Sequence, residues 1–329
     1  MKAAIIRAHG ALDAIQIENV DQPVPKADEV LVQVKACALN HMDLWARKGI
    51  PGFAFPLPLI PGCDISGVVA SECHLALGTE VIISPGVSCG SCVHCKSQND
   101  HLCPTYGILG ETQNGGCAEY VSVPRKNLIP KPQNLSFAEA AAYPLTFLTA
   151  WHMVVTRCQI QQGEWILVHA AGSGVGSAAV QIARLYDARI IATAGSEEKC
   201  QRARELGAEL AINYREDPEW ARTVYKHTQK RGVDIAFEHV GKATFEGSVR
   251  SLTPGGRLVT CGATTGGQVT LNLQRLFFKN LSILGSTMGT HAELEKLSEY
   301  VADGSLVPMV DRVLSLNDVH EAHRALEAR

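Results

Sequence analysis

Residues 164–192 read EWILVHAAGSGVGSAAVQIARLYDARIIA. Trp165, Ile166, Leu167 and Val168 form a short apolar run, as a parallel strand does when both of its faces are covered. The chain then breaks into Ala171, Gly172, Ser173, Gly174, Val175 and Gly176. Small residues suit a backbone that leaves a strand sharply, approaches a pyrophosphate and lets the next helix pack tightly on the sheet. A helix is expected at 177–186, with its N-terminal N–H groups and positive dipole end facing that phosphate. A second strand is expected at 188–193. A glycine turn alone is a weak signal, because plain surface turns are also glycine-rich. The strand, turn, helix, strand order is the context that makes it specific. Ala171, Ser173 and Gly176 occupy the three glycine positions of G-x-G-x-x-G, so the stretch reads as a variant dinucleotide turn.

Composition limits the rest. A chain of 329 residues with 46% hydrophobic content is long enough for two domains with substantial cores. A net charge of −3 leaves no electrostatic footprint for nucleic acid or for a membrane surface. No apolar run reaches membrane-span length, and MKAAIIRAHG reads as a first strand, not a signal peptide, so a soluble, cytoplasmic protein is expected. Eleven cysteines, an odd count, in a chain of this size favour reduced thiols and metal binding over disulfides.

Up to about residue 130 the chain shows short strand-like runs at 3–7, 30–36, 67–70, 80–84 and 118–123, punctuated by glycine and proline. This is the texture of a compact β domain. Within it, Asn40, His41, Met42, Asp43, Leu44 and Trp45 are followed by Pro61, Gly62, Cys63 and Asp64. Polar groups placed so either line a site or cap turns, and residue type alone does not separate the two. Cys89, Cys92, Cys95 and Cys103 are more specific. Four thiolates at this spacing can close a tetrahedron around Zn²⁺ with no open position, which makes the site structural and contributes on the order of 10 kcal/mol to ordering its segment. His94 and His101 are read as solvated loop residues beside that site, and most remaining cysteines as core.

Beyond residue 135 the texture turns helical, with Ser136 as N-cap and Glu139 completing a capping box. The residue that selects the cofactor lies about twenty positions past a glycine turn, where an acid would bind the ribose hydroxyls of NAD. Here the strand runs out at Ala194, Gly195 and Ser196, with Lys199 and Arg202 close behind, which favours NADP(H). Glu197 and Glu198 argue the other way, although acids in a helix first turn also answer to the dipole. Strands expected at 209–214, 233–240, 257–263 and 281–285 complete a doubly wound sheet. Helices at 292–302 and 317–328 return to the first domain. The resulting α/β architecture assigns residues 1–146 and 288–329 to a strand-rich domain and 147–287 to a Rossmann dinucleotide domain.

Taken together, the cysteine lobe, the VHAAGSGVG turn and the C-terminal return resemble the medium-chain dehydrogenase/reductase superfamily over nearly the whole chain. The resemblance implies a GroES-like catalytic domain. In the zinc alcohol dehydrogenases of that family, cysteine stands at the positions of Asn40 and Leu145, histidine at Cys63 and glutamate at Asp64. The two thiolate positions are lost here, so a catalytic zinc is not expected. Asn40, the YPLTFLTAW run at 143–151, and Ser196, Lys199 and Tyr214 instead resemble the zinc-free quinone oxidoreductase and enoyl reductase branch. In that branch the last three positions contact the NADPH phosphate and Thr149 the nicotinamide end. His41, Gly172, Ser173, Gly174, Val175, Gly176 and Gly262 complete the cofactor-contacting set that the resemblance implies. Two departures stand out: that branch usually lacks the cysteine lobe, and Trp45 stands where a tyrosine is common.

The expected activity is NADPH-dependent reduction of quinones or enones, including enoyl compounds. Without a Lewis acid an unactivated alcohol is a poor hydride donor, whereas an electron-poor acceptor still takes hydride. Asn40 and Trp45 are the expected donors to the developing enolate or phenolate, and Asp43 completes the set by orienting loops. One alternative is a zinc alcohol dehydrogenase using Cys63, Asp64 and His41, and another is a non-catalytic NADPH-binding protein. The expected partners are a small-molecule substrate, one structural Zn²⁺ and a second copy of the chain. An edge strand at 281–285 suits a homodimer or homotetramer.

Overall fold

The computed structural model describes residues 1–328. The chain forms two compact units, Met1–Leu145 with Thr290–Arg329, and Thr146–Gly289.

The first unit opens with an antiparallel pair, β1 (Lys2–Ile6) and β2 (Ile15–Asn19). Its main sheet contains β3 (Glu29–Ala38), β4 (Asp64–Val69) and β5 (Glu80–Ile83). The short pair β6 (Gly86–Val87) and β7 (Gly107–Ile108) brackets the cysteine lobe, and β8 (Tyr120–Pro124) and β9 (Leu128–Pro130) rejoin the main sheet. The antiparallel order is β8-β3-β4-β5-β9. Three helices punctuate these strands: α1 (His41–Lys48), the one-turn α2 (Val93–Lys96) inside the lobe, and α3 (Phe137–Ala141). As the sequence suggests, Ser136 Oγ accepts from the Glu139 N–H while the Glu139 carboxylate accepts from the Ser136 N–H, and Pro144 separates α3 from α4 (Pro144–Trp151). Within the segment 40–45, Asn40 is the N-cap of α1 and residues 41–45 lie in its first turns.

The second unit is a parallel sheet of β10 (Trp165–Val168), β11 (Arg189–Ala194), β12 (Leu210–Asn213), β13 (Val233–Glu238), β14 (Leu252–Thr260) and β15 (Ser282–Gly285). The spatial order β12-β11-β10-β13-β14-β15 reverses at β10, which defines the switch point of a doubly wound fold. Ile166, Leu167 and Val168 are wholly buried, which explains why β10 carries no polar alternation. The crossovers are α5 (Gly174–Leu185), α6 (Glu197–Leu206), α7 (Trp220–His227), α8 (Phe245–Ser251) and α9 (Leu273–Phe278). Two boundaries move for identifiable reasons. Helix α5 begins at Gly174, three residues before the expected start, because Ser173 Oγ accepts from the Gly176 N–H and caps it. Strand β13 stops at Glu238, short of residue 240, because its own carboxylate accepts the Val240 and Gly241 N–H groups and turns the chain.

The chain then returns to the first unit through α10 (His291–Ala302) and α11 (Val319–Ala328). Leu294, Leu297 and Val301 bury the inner face of α10, while Tyr143 pairs with Ser298 at 3.0 Å. The Arg47 guanidinium, 1% exposed, pairs with Glu327 and ties α1 to α11. No helix among the described residues is long and apolar enough to cross a membrane.

Candidate functional site

The cysteine lobe is built locally. Cys92 is the N-cap of α2, which turns the chain so that Cys95 comes back beside it at 3.5 Å. Cys89 lies 3.9 Å from Cys95, and all four sulfurs, with Cys103, fall within 4.8 Å of one another. A tetrahedral Zn²⁺ with bonds of about 2.3 Å requires sulfur separations of about 3.8 Å, so the donor set fits a closed site. The Ser91 and Cys92 N–H groups approach Cys89 Sγ at 3.4 and 3.3 Å, and these bonds, the Ser91 N–H first, hold its thiol down at about 5. His94 lies on α2 and His101 in the short turn before Cys103, both half-buried, and neither belongs to the four-sulfur group.

The second cluster is assembled from distant segments. Asn40 is 8% exposed, and its Nδ2 donates to Asp64 Oδ2 at 2.9 Å and, more weakly, to Cys63 Sγ at 3.5 Å. Asp64 opens β4, and its other oxygen accepts the Leu145 N–H at 2.8 Å. Asp43 accepts the Asn40 N–H at 2.7 Å and the Gly62 N–H at 2.8 Å, so it ties the start of α1 to the Pro61–Gly62 turn. Both acids are almost wholly buried. Burial is the main cause that raises Asp43 to about 6 and Asp64 to about 7, against the hydrogen bonds each accepts. Trp45 is half-buried, with its ring edge-on to His41 at 5.2 Å. Asn40, Asp43, Cys63, Asp64 and the Leu145 backbone therefore converge, while His41 and Trp45 form a neighbouring pair on α1. The orienting role of Asp64 toward Asn40 is not legible from residue type. Its only sequence signal is a carboxylate at the first position of a buried strand.

In the second unit the glycine turn is crowded. A Cβ on Gly176 would stand 2.4 Å from the Ala170 carbonyl oxygen, and one on Gly172 2.9 Å from the Lys199 stem. A Cβ on Gly174 would meet Thr146 at 2.8 Å, and one on Gly195 the Tyr214 hydroxyl at 2.7 Å. These contacts bring Gly172 beside Lys199 and Gly195 beside Tyr214 at the carboxyl ends of β10, β11 and β12. Ser196 caps α6 by accepting the Lys199 N–H, while Val175 lies in the first turn of α5, whose leading N–H groups have no intrahelical acceptor. Glu197 pairs with Arg204 and Glu198 with Arg202 at 2.7 Å, so neither acid is held at the tip of β11. Thr149 is buried on α4, and the Gly262 carbonyl accepts from Thr260 beyond β14. A cradle of close-packed glycines at a helix N-terminus fits a dinucleotide diphosphate.

Residues 26–133 match the alcohol dehydrogenase GroES-like domain, and residues 174–303 match the zinc-binding dehydrogenase family. The chain is 30% identical over 334 residues to an alcohol dehydrogenase of Geobacillus stearothermophilus, covering 99% of this chain and 96% of that one. It is 28% identical over 331 residues to a quinone oxidoreductase of Homo sapiens, covering 98% and 93%. A crystal structure of an NAD-dependent alcohol dehydrogenase superposes with a TM-score of 0.95 at 47% identity, covering 100% of this chain and 96% of that chain. With both domains matched and nearly every residue aligned, the chain belongs to the medium-chain dehydrogenase/reductase superfamily, and its relatives are oxidoreductases.

Proposed function

We propose that the protein is an NADPH-dependent reductase of quinones or α,β-unsaturated carbonyl compounds, working without a catalytic metal and carrying one structural Zn²⁺ in its cysteine lobe. The observation that carries this reading is the donor set around Asn40. Among the described residues, the only group of three or more His, Cys, Asp or Glu side chains within reach of one ion is Cys89, Cys92, Cys95 and Cys103. Around Asn40 the chain offers a hydrogen-bonded amide in place of a ligand cage. When bound, NADPH supplies hydride to an electron-poor carbon, and negative charge then develops on the acceptor oxygen. Asp64 holds one amide hydrogen of Asn40. The second rests on the Cys63 thiol at 3.5 Å, a weak acceptor, and exchanging that contact for an oxyanion is favourable. The Trp45 indole N–H is the second donor, and Asp43 keeps the capping role its geometry describes.

The preference for NADPH rests on Gly195, Ser196, Lys199 and Tyr214, which leave no carboxylate at the end of β11, and on the pairing of Glu197 and Glu198 with arginines of their own helix. The 47% identical structure is named as NAD-dependent and an alcohol dehydrogenase, and this favours a second reading, NAD-linked alcohol oxidation. A native mass spectrum with equal NADH and NADPH, followed by turnover on a panel of enones, quinones and alcohols, separates the two. One zinc per chain, retention of NADPH and consumption of enone or quinone are expected. Two zincs with alcohol oxidation on NAD overturn the proposal.

We also propose a homodimer or homotetramer. Strand β15 ends the parallel sheet, Ile283 on it is exposed, and Phe277 and Phe278 on the preceding helix are exposed by 59% and 77%. A monomeric mass by sedimentation at micromolar concentration would refute it.

A further inference from the structure

Beneath the glycine turn lies a buried polar chain that the proposed chemistry does not use. His169 follows β10 directly and is 1% exposed. Its Nδ1 is 2.9 Å from Thr193 Oγ1 on β11, and its Nε2 is 2.9 Å from Ser248 Oγ on α8. Ser248 Oγ donates to Glu238 Oε2 at 2.8 Å, and Glu238, with no exposed surface, also accepts from the Val240 and Gly241 N–H groups and from Thr244 Oγ1.

The proton directions follow from these contacts. Burial works against the Glu238 charge, but every hydrogen-bonding neighbour of the carboxylate is a donor, the Val240 and Gly241 N–H groups and the Ser248 and Thr244 hydroxyls, so Glu238 is the accepting end of the chain. The single Ser248 proton points to Glu238 or to the Thr244 carbonyl, so in either case Ser248 Oγ accepts from His169 Nε2–H. Burial, ahead of every other cause, pushes His169 down to about 4, so the ring is neutral and its Nδ1 accepts the Thr193 hydroxyl proton. With the Ser248 proton directed to Glu238, the chain has one direction, from Thr193 through His169 and Ser248 to Glu238.

His169, Thr193 and Glu238 each sit at or near a strand end, and Ser248 on α8 bridges His169 to Glu238. His169 precedes Ala170, which holds a left-handed φ of 47° and whose carbonyl oxygen leaves no room for a Cβ on Gly176. A non-glycine residue in that region persists only where its surroundings over-determine it. Thr193 precedes the tip at Gly195 and Ser196, and Glu238 closes the turn that reaches Gly241. The His169 carbonyl also accepts from His239 Nε2 at 2.9 Å, a second tie between the β10 and β13 turns. A buried carboxylate with four hydrogen-bond donors around it is costly, and replacing such a group by well-packed apolar residues is often neutral or stabilising. Stability alone therefore does not account for it.

We propose that His169, Ser248 and Glu238, with Thr193 at the far end, are positioning residues that lock the turns after β10, β11 and β13 in the register that binds the dinucleotide. This rests on the nucleotide reading above. The test is a double-mutant cycle on nucleotide affinity, measured by fluorescence titration well below the melting temperature. Thr193→Val and Ser248→Ala preserve shape and remove one hydroxyl each. Each is expected to weaken NADPH binding about 10-fold, the cost of one buried hydrogen bond. The two residues do not touch each other. Coupling through His169 therefore predicts that the double variant loses much less than the product of the single losses, and that Thr193→Ser restores wild-type affinity. Unchanged affinity with a lowered melting temperature, or strictly multiplicative losses, would overturn the proposal and leave the chain a packing feature. Failure of the wild-type protein to bind either nucleotide would instead sink the functional reading on which the proposal stands.

Discussion

The ligands of the cysteine lobe lie between positions 89 and 103, whereas Asn40, Cys63, Asp64 and Leu145 come together from the N-cap of one helix, the edge of a strand and the start of another helix. The lobe encodes its chemistry in spacing, because α2 and its cap return each sulfur to the same point. The Asn40 cluster encodes its chemistry in burial. Asp43 and Asp64 are ordinary acids until the fold removes water from them, and only then does Asp64 become a holder for the Asn40 amide. A site written in spacing is readable early, and the proposed Zn²⁺ would supply its order. A site written in burial takes its properties from the packing around it.

That contrast can be broken most visibly by removing the ion. Chelation, or Cys92→Ser, is expected to unfold the lobe with a loss on the order of 10 kcal/mol of local ordering energy. Hydrogen exchange would show it confined to residues near 86–108, and protection unchanged by chelator would mean that the lobe folds without metal. Next in size, Asn40→Ala is expected to lower turnover about 100-fold, as loss of an oxyanion donor does, while nucleotide affinity is retained. Unchanged turnover would remove Asn40 from the chemistry.

The buried acids give the third test. Both have folded values raised above the unfolded one, so the folded state holds more protons. Their contribution to stability is complete below the unfolded carboxyl value and is lost as pH rises through about 6 and 7. Unfolding free energy is expected to fall by a few kcal/mol, as an order of magnitude, between about pH 4 and pH 7.5. Asp64→Asn should flatten the upper part of that fall, and a wild-type slope in the variant, measured by denaturant titration across pH, would show that Asp64 ionises freely. The smallest effect is expected at the cofactor tip. Lys199→Ala should weaken NADPH by about 10-fold and leave NADH within two-fold, as loss of one charge-assisted hydrogen bond does; equal losses for both nucleotides would assign Lys199 to the diphosphate.

Much of the fold was legible because its signals are local. The WILV run, the small residues after it and the Ser136–Glu139 capping box each act within a turn or two of the chain. The errors are also instructive. The expectation placed α5 three residues late because glycine reads as a breaker, and Ser173 reverses that by capping. Residue type left open whether residues 40–45 line a site or cap turns, because nothing local reveals that Asp43 accepts two backbone N–H groups, one of them from Gly62.

By itself the sequence determined the order of elements, the closed four-thiolate lobe and a glycine turn with no acid at the tip of its second strand, since periodicity, spacing and residue size act over short stretches of chain. The tertiary structure alone decided which polar groups lose their water and which partners they meet. Asp64 meeting Asn40, and Glu238 reaching His169 through Ser248, are consequences of strand order and burial, and neither leaves a trace in the neighbouring residues.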